Sequence, residues 1–331
     1  MKRIAILAFS EKGYALAEEL AAALGGEAAR SGQPDSLKEW TEKHFADSDG
    51  LVYVGACGIA VRAIAPYVQD KTKDPAVVVI DERALHVIPI LSGHLGGAND
   101  LAREIAHITG SDPVITTATD VNGVFAVDEW AKRQNLALLE KERIVKISGK
   151  LLAGGEVTVE IAWQIAGEPP EGVRPADASA NVTVDIRRHA DDALHLVPRI
   201  CVLGVGCRKG TTAEALEERF AAFLEETGIC AEAICAAATI DLKKEERGLL
   251  DFVKRHGWPL QIYTAGELAE VAGDFTASAM VEKVTGVDNV CERSAVRAAG
   301  GRLVEGKFAG GGVTFALAEK AVELNWNWRM Q

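Results

Sequence analysis

The feature that most constrains this chain is a recurring unit: a short apolar run, a glycine-bearing turn, then a helix with one apolar face. Residues 3–9 (RIAILAF), 50–55 (GLVYVG) and 76–80 (AVVVI) are apolar runs of strand length. Continuous runs of this kind suit strands buried on both faces, and so a largely parallel sheet covered by helices. Residues 13–24, rich in Ala, Leu and Glu, read as a helix stopped by Gly25 and Gly26. Residues 59–65 and 99–109 read as further helices, and residues 86–90 and 114–119 (VITTAT) as further strands. The fold class is α/β.

Past a helix at residues 127–134 the pattern weakens. Residues 146–152 start a helix, residues 157–165 and 181–186 look β-like, and residues 167–178 (GEPPEGVRPADA) read as a Pro- and Gly-rich loop. The alternation resumes at Arg199. Strands are expected at 200–204, 236–240, 260–263, 303–304 and 313–318, with helices at 212–227, 244–256, 266–271 and 290–299. Three parts follow: an N-terminal mostly parallel-sheet domain over residues 1–124, a small central α/β unit and linker over 125–198, and a C-terminal α/β domain over 199–331. The tail with Trp326 and Trp328 either packs on the body or frays.

Composition removes several function classes. The formal net charge of −12 disfavours nonspecific binding to nucleic acid or to anionic membranes. Cys57, Cys201, Cys207, Cys230, Cys235 and Cys291 form no C-x-x-C pair, so no zinc or iron–sulfur site is expected. The first residues carry too short an apolar stretch for a secretory signal, and no run of about 18 apolar residues occurs. The expected location is the cytoplasm, with reduced thiols.

The densest chemical segment is residues 91–100, LSGHLGGAND. Ser92, Gly93, His94, Gly96, Gly97 and Asn99 follow a strand and precede a helix. Amides at such a turn can approach an anionic ligand, and His94 could activate water. The plainer reading is a Gly-rich turn with a surface histidine. Residues 54–62 (VGACGIAVR) place Gly55, Cys57, Gly58 and Arg62 at a second such turn; the plainer reading there is a tight turn with a buried cysteine. Residues 204–211 (GVGCRKGT) fail the G-x-G-x-x-G spacing, since Lys209 stands where the third glycine belongs and Gly210 comes one place late. Gly206, Arg208, Lys209 and Thr211 suit carboxylates better than a dinucleotide, or form an ordinary charged loop. Thr117 and Asp120 lie in a hydroxyl-rich strand end, and Asn289 and Glu292 in a turn and the helix after it, where Asn289 would serve as a cap.

The order and spelling of these segments are similar to the cobalt-precorrin-5A hydrolase (CbiG) family of anaerobic cobalamin biosynthesis. LVYVGACGIAVRAIAPYVQDKTKDPAVVVIDE, VIPILSGHLGGANDLAREIA and PVITTATDVNGVFAVDEWA resemble its N-terminal and central regions. GVGCRKGTTAEAL, ATIDLKKEERGLLDF and VTGVDNVCERSAV resemble its C-terminal domain, which also occurs separately as a CobE-type protein. The resemblance implies a three-part fold and a large polycarboxylate cobalt-corrinoid substrate whose δ-lactone is opened by water, with loss of acetaldehyde. It implies no protein cofactor, because cobalt arrives within the substrate, and no protein metal. It leaves open a homodimer or transient contact with other enzymes of the pathway.

On this basis we expect His94 to act as general base, with Asp120 or Glu292 as a second proton-transfer group. Substrate contacts are expected from Gly55, Cys57, Gly58, Arg62, Ser92, Gly93, Gly96, Gly97, Asn99, Thr117, Gly206, Arg208, Lys209, Thr211 and Asn289. The competing readings are a noncatalytic corrinoid carrier and, with a broken glycine fingerprint against it, a nicotinamide-dependent oxidoreductase.

Overall fold

The computed structural model describes residues 3–70, 73–177 and 179–328. Contacts divide the chain into two units, one of Met1–Trp130 with Trp328–Gln331, the other of Ala131–Asn327.

The first unit is built on β1 (Ile4–Ala8), α1 (Glu11–Leu24), β2 (Glu27–Arg30), α2 (Leu37–Asp47), β3 (Gly50–Val54), α3 (Cys57–Ile64), β4 (Ala76–Ile80), β5 (His86–Leu91), α4 (Ala98–Thr109) and β6 (Asp112–Pro113). The sheet order is β2-β1-β3-β4-β5-β6. Every residue of β1, β3 and β4 is buried, as their unbroken apolar spelling requires. One face carries α1 and α4, through Ala17, Leu20, Leu101 and Ile105; the other carries α2 and α3, through Trp40, Phe45, Ala60 and Ile64. Ser36 and Glu39 form a reciprocal cap that starts α2. Neither β2 nor α2 was expected: β2 is half exposed and too polar to stand out, and α2 has few apolar residues.

All ladders in this sheet are parallel except that between β4 and β5, where Val77 faces Leu91 and Ile80 faces Val87. The reversal is made by the Asp81 carboxylate, which accepts the N–H groups of Arg83, Leu85 and His86. The end of β5 therefore lies beside the beginning of β4, at the end of the sheet where β3 also begins. The strand expected at residues 114–119 does not form: β6 ends at Pro113, Ile115 bonds back to the Pro113 carbonyl at 3.0 Å, and a helix begins at Ala118. The chain then forms α5 (Ala118–Val121) and α6 (Val127–Arg133). Of the tail, residues through Trp328 are described; the Trp328 ring packs edge-on against Phe125 at 5.8 Å.

The second unit contains β7 (Leu136–Leu138), α7 (Ile144–Leu152), β8 (Val157–Ile161), β9 (Ile165–Ala166), β10 (Val173–Pro175), β11 (Val182–Val184) and β12 (Leu194–Pro198). The segment expected to be one loop thus contains β10, and β12 is an addition to the sequence reading. All of these strands but β9 form a sheet of order β10-β8-β11-β12-β7.

There follow β13 (Cys201–Cys207), α8 (Ala213–Thr227), β14 (Ile234–Ile240), α9 (Arg247–Arg255), β15 (Leu260–Tyr263), α10 (Ala265–Ala269), α11 (Ala279–Thr285), α12 (Cys291–Ala299), β16 (Arg302–Gly310), β17 (Val313–Glu319) and β18 (Leu324–Asn325). Their sheet order is β15-β14-β13-β17-β16, and β18 pairs with β9. Phe220 and Phe223 of α8 and Phe252 of α9 meet Phe315 of β17 in one aromatic core. Glycine at 204 is what lets α12 approach: a Cβ there would sit 1.8 Å from the Cys291 carbonyl oxygen. Gly204→Ala must displace backbone, and we expect a loss of at least about 2 kcal/mol, read as a lowered midpoint in thermal unfolding.

Candidate functional site

The His94 turn opens where β5 ends. Ser92 takes φ 56° and Gly97 φ 89°, so the backbone passes twice through the left-handed region before α4 begins. A Cβ at Gly96 would lie 2.2 Å from that of Ser92, and one at Gly93 would lie 2.9 Å from Asn99 Oδ1. The turn is thus closed against itself. Ala98 N donates to Ser92 O at 3.1 Å and Asn99 N to Gly93 O at 3.0 Å, fixing the turn to the start of α4.

This fixes His94 among carboxylates. Its Nε2 is 3.2 Å from Asp120 Oδ2 and 3.3 Å from Thr119 Oγ1, while Nδ1 is 3.4 Å from Asp128 Oδ1 and 3.9 Å from Glu129 Oε1. Asp120 is itself held. Thr117 Oγ1 donates to it at 2.7 Å, Asn99 Nδ2 at 3.0 Å, and the Arg103 guanidinium pairs with its other oxygen. Arg103 also pairs with Asp100 at 3.3 Å. Glu129 is 4% exposed, and among the described residues its Oε2 has no hydrogen-bond partner.

Burial would lower the pKa of His94, but the Asp120, Asp128 and Glu129 carboxylates outweigh it and lift it to about 10. Burial would raise Asp120; hydrogen bonds from His94 and Thr117 and the Arg103 charge instead hold it well below the usual carboxylate range. Burial, reinforced by Asp120 and Asp100, pushes Glu129 up to about 7 against the pull of His94. Both ring nitrogens of His94 face acceptors, and those carboxylates favour its charged form.

The turn therefore brings together His94, Asn99, Thr117 and Asp120 of the expected set, with Ser92, Gly93, Gly96 and Gly97 shaping it. Sequence reasoning missed Arg103, Thr119, Asp128 and Glu129. The last two fall in the first turn of α6, where acidic residues are ordinary complements to the helix dipole, so no signal marked them.

The β3–α3 turn corrects a second expectation. Because β5 runs against β4, Gly55, Cys57, Gly58 and Arg62 lie at the opposite edge of the sheet from His94. The Gly55 amide is already donated to Ile80 O at 2.8 Å, and Arg62 bonds the Gly58 carbonyl at 3.1 Å. They do not form a second wall to the His94 turn.

In the second unit, Gly204 and Gly206 sit inside β13 and not in a phosphate-binding turn, which removes the basis for a nicotinamide site. Gly206 faces Thr314, and Thr211 Oγ1 donates to the Arg208 carbonyl at 2.8 Å; Arg208 and Lys209 are exposed. Glu292 is 1% exposed and accepts from Thr276 N at 2.7 Å, Thr276 Oγ1 at 3.0 Å, Asn289 Nδ2 at 2.6 Å and Lys307 N at 2.7 Å. Asn289 Oδ1 accepts in return from Glu292 N at 2.8 Å. A carboxylate with this many donors is a clasp joining α12, β16 and the loop at Thr276. The expected proton-transfer role of Glu292 and substrate role of Asn289 give way to that structural one.

Fold and cluster together define an α/β protein of two units with a buried acid–imidazole centre in the first. Residues 39–120 match the family described as Cobalamin synthesis G N-terminal, and residues 201–318 the one described as Cobalamin synthesis G C-terminus. A cobalt-precorrin-5A hydrolase of Salmonella typhimurium is 37% identical over 289 residues, covering 82% of this chain and 82% of its own. One of Priestia megaterium is 32% identical over 297 residues, covering 83% and 79%. A solved cobalamin biosynthesis protein G homologue from Sulfolobus solfataricus shares 25% identity and a TM-score of 0.42 over 96% of this chain and 97% of that one. The chain belongs to the cobalamin synthesis G family. Among the described residues no helix is long and apolar enough to cross a membrane.

Proposed function

We propose that this chain hydrolyses cobalt-precorrin-5A, opening its δ-lactone with water and releasing acetaldehyde to give cobalt-precorrin-5B in anaerobic cobalamin biosynthesis. The observation that carries the reading is 37% identity, over 82% of both chains, to a protein named for that activity. The cobalt is part of the substrate.

Lactone opening needs an acceptor for a proton of water and donors for the developing oxyanion. The freed alcohol must then lose its proton so that the carbon–carbon bond can break, with the conjugated macrocycle taking the electrons. The His94 turn is where we place this chemistry. An imidazole, two threonine hydroxyls and several carboxylates converge there, on a turn held rigid by its own glycines. Arg103 acts through Asp120, which it orients.

Purified protein incubated with cobalt-precorrin-5A is expected to release one acetaldehyde per corrinoid consumed, measured by trapping the aldehyde as a hydrazone. Tight corrinoid binding without acetaldehyde would establish a carrier instead.

A further inference from the structure

We propose that the first unit binds one divalent first-row transition-metal cation between His94, Asp120 and Glu129. Each of these residues offers one donor atom, and the three atoms lie within 4.8 Å of one another. An ion about 2.1 Å from each donor keeps its ligands within about 4.2 Å of each other, so closure asks for movements of well under about 1 Å.

The independent observation is Glu129 Oε2. It belongs to a side chain 4% exposed, beside the imidazole, and has no partner among the described residues. Buried polar atoms in native proteins are almost always satisfied, and an orphan oxygen on a buried carboxylate whose other oxygen stands 3.9 Å from a histidine is completed most directly by a cation.

The surroundings fit a ligand set. Asp120 is steered by Thr117, Asn99 and Arg103, which leaves its orientation fixed. Asp120 stands at Nε2 at 3.2 Å, and Asp128 and Glu129 at Nδ1 at 3.4 and 3.9 Å, so whichever ring nitrogen takes the ion, the other faces a carboxylate that fixes the tautomer. One imidazole nitrogen with two carboxylate oxygens suits Mn2+ or Zn2+, and is a poor set for soft cations. The three ligands come from separate segments, the β5–α4 turn, α5 and α6, so no short motif announces them. The expectation of no protein metal came from the family resemblance, with the unpaired cysteines against zinc or iron–sulfur. The inferred ion is distinct from the cobalt inside the substrate, and the inference does not rest on the proposed reaction.

The test uses the full chain, stripped with chelator and dialysed. Mn2+ is titrated in and the free ion followed by electron paramagnetic resonance; Zn2+ is titrated by calorimetry. One saturable site per chain is expected, with a rise in the thermal midpoint on ion addition. Glu129→Gln and Asp120→Asn should each weaken binding by about tenfold or more. Circular dichroism shows which variants keep the native fold, and His94→Gln stands in for any that does not. Absence of saturable uptake of either ion by the unaltered chain overturns the proposal, and so does unchanged affinity in folded Glu129→Gln protein. Because uptake is read without corrinoid, this result stands apart from the acetaldehyde assay.

Discussion

His94→Ala lowers acetaldehyde release from cobalt-precorrin-5A by at least about 10²-fold, the range expected when a positioned proton-handling group is removed. The size follows from what the imidazole does where it stands. It touches Asp120, Asp128 and Glu129 together, at 3.2, 3.4 and 3.9 Å. Without it, partly buried carboxylates face one another across the gap it leaves. Two consequences must be separated. The chemistry loses its central group, and the unit loses some stability through like-charge repulsion. Turnover is therefore compared with the unaltered protein well below both thermal midpoints, and His94→Gln, which is neutral and polar, serves as the milder control. Full turnover in a folded His94→Ala protein would remove the His94 turn from the reaction.

Glu292→Ala gives the largest expected change in stability. The substitution strips the acceptor from Thr276 N and Lys307 N at once, and one of two from Asn289 Nδ2, which keeps the Thr276 carbonyl at 3.0 Å. A buried donor left unsatisfied costs about 1–3 kcal/mol. With some entry of water, the total is expected at about 3–5 kcal/mol, a fall in thermal midpoint on the order of 10 °C for a unit of this size. Circular dichroism melts check it. A midpoint unchanged within about 2 °C, together with lost turnover, would restore the proton-transfer role that the clasp geometry displaces.

Much of this architecture was legible because burial on both faces writes itself as apolar runs. β1, β3 and β4 stand in the sequence as IAILA, GLVYV and AVVVI. β2 was silent because little of its surface is core; α2 buries Trp40 and Phe45, but they stand among mostly polar residues and mark it only weakly. The direction of β5 went unassigned, and it was readable. Residues 81–85 alone separate it from β4, whereas a parallel crossover needs about a dozen residues or more. The candidate site was half legible. LSGHLGGAND and TTATD pointed to His94, Asn99, Thr117 and Asp120, which do meet. Asp128 and Glu129 join them only through the tertiary path of α6, and acidic residues opening a helix look alike whether they cap it or build a site. Glu292 misled because a carboxylate beside a turn is spelled the same whether it moves a proton or ties loops together.

The reversed fifth strand also sets where the molecule can be marked. Cys57, at the rim across the sheet from His94, is separated from it by roughly the 17 Å that five strand residues span. A fluorophore or spin label attached there would watch corrinoid arrive from a distance, without intruding on the bonds being broken.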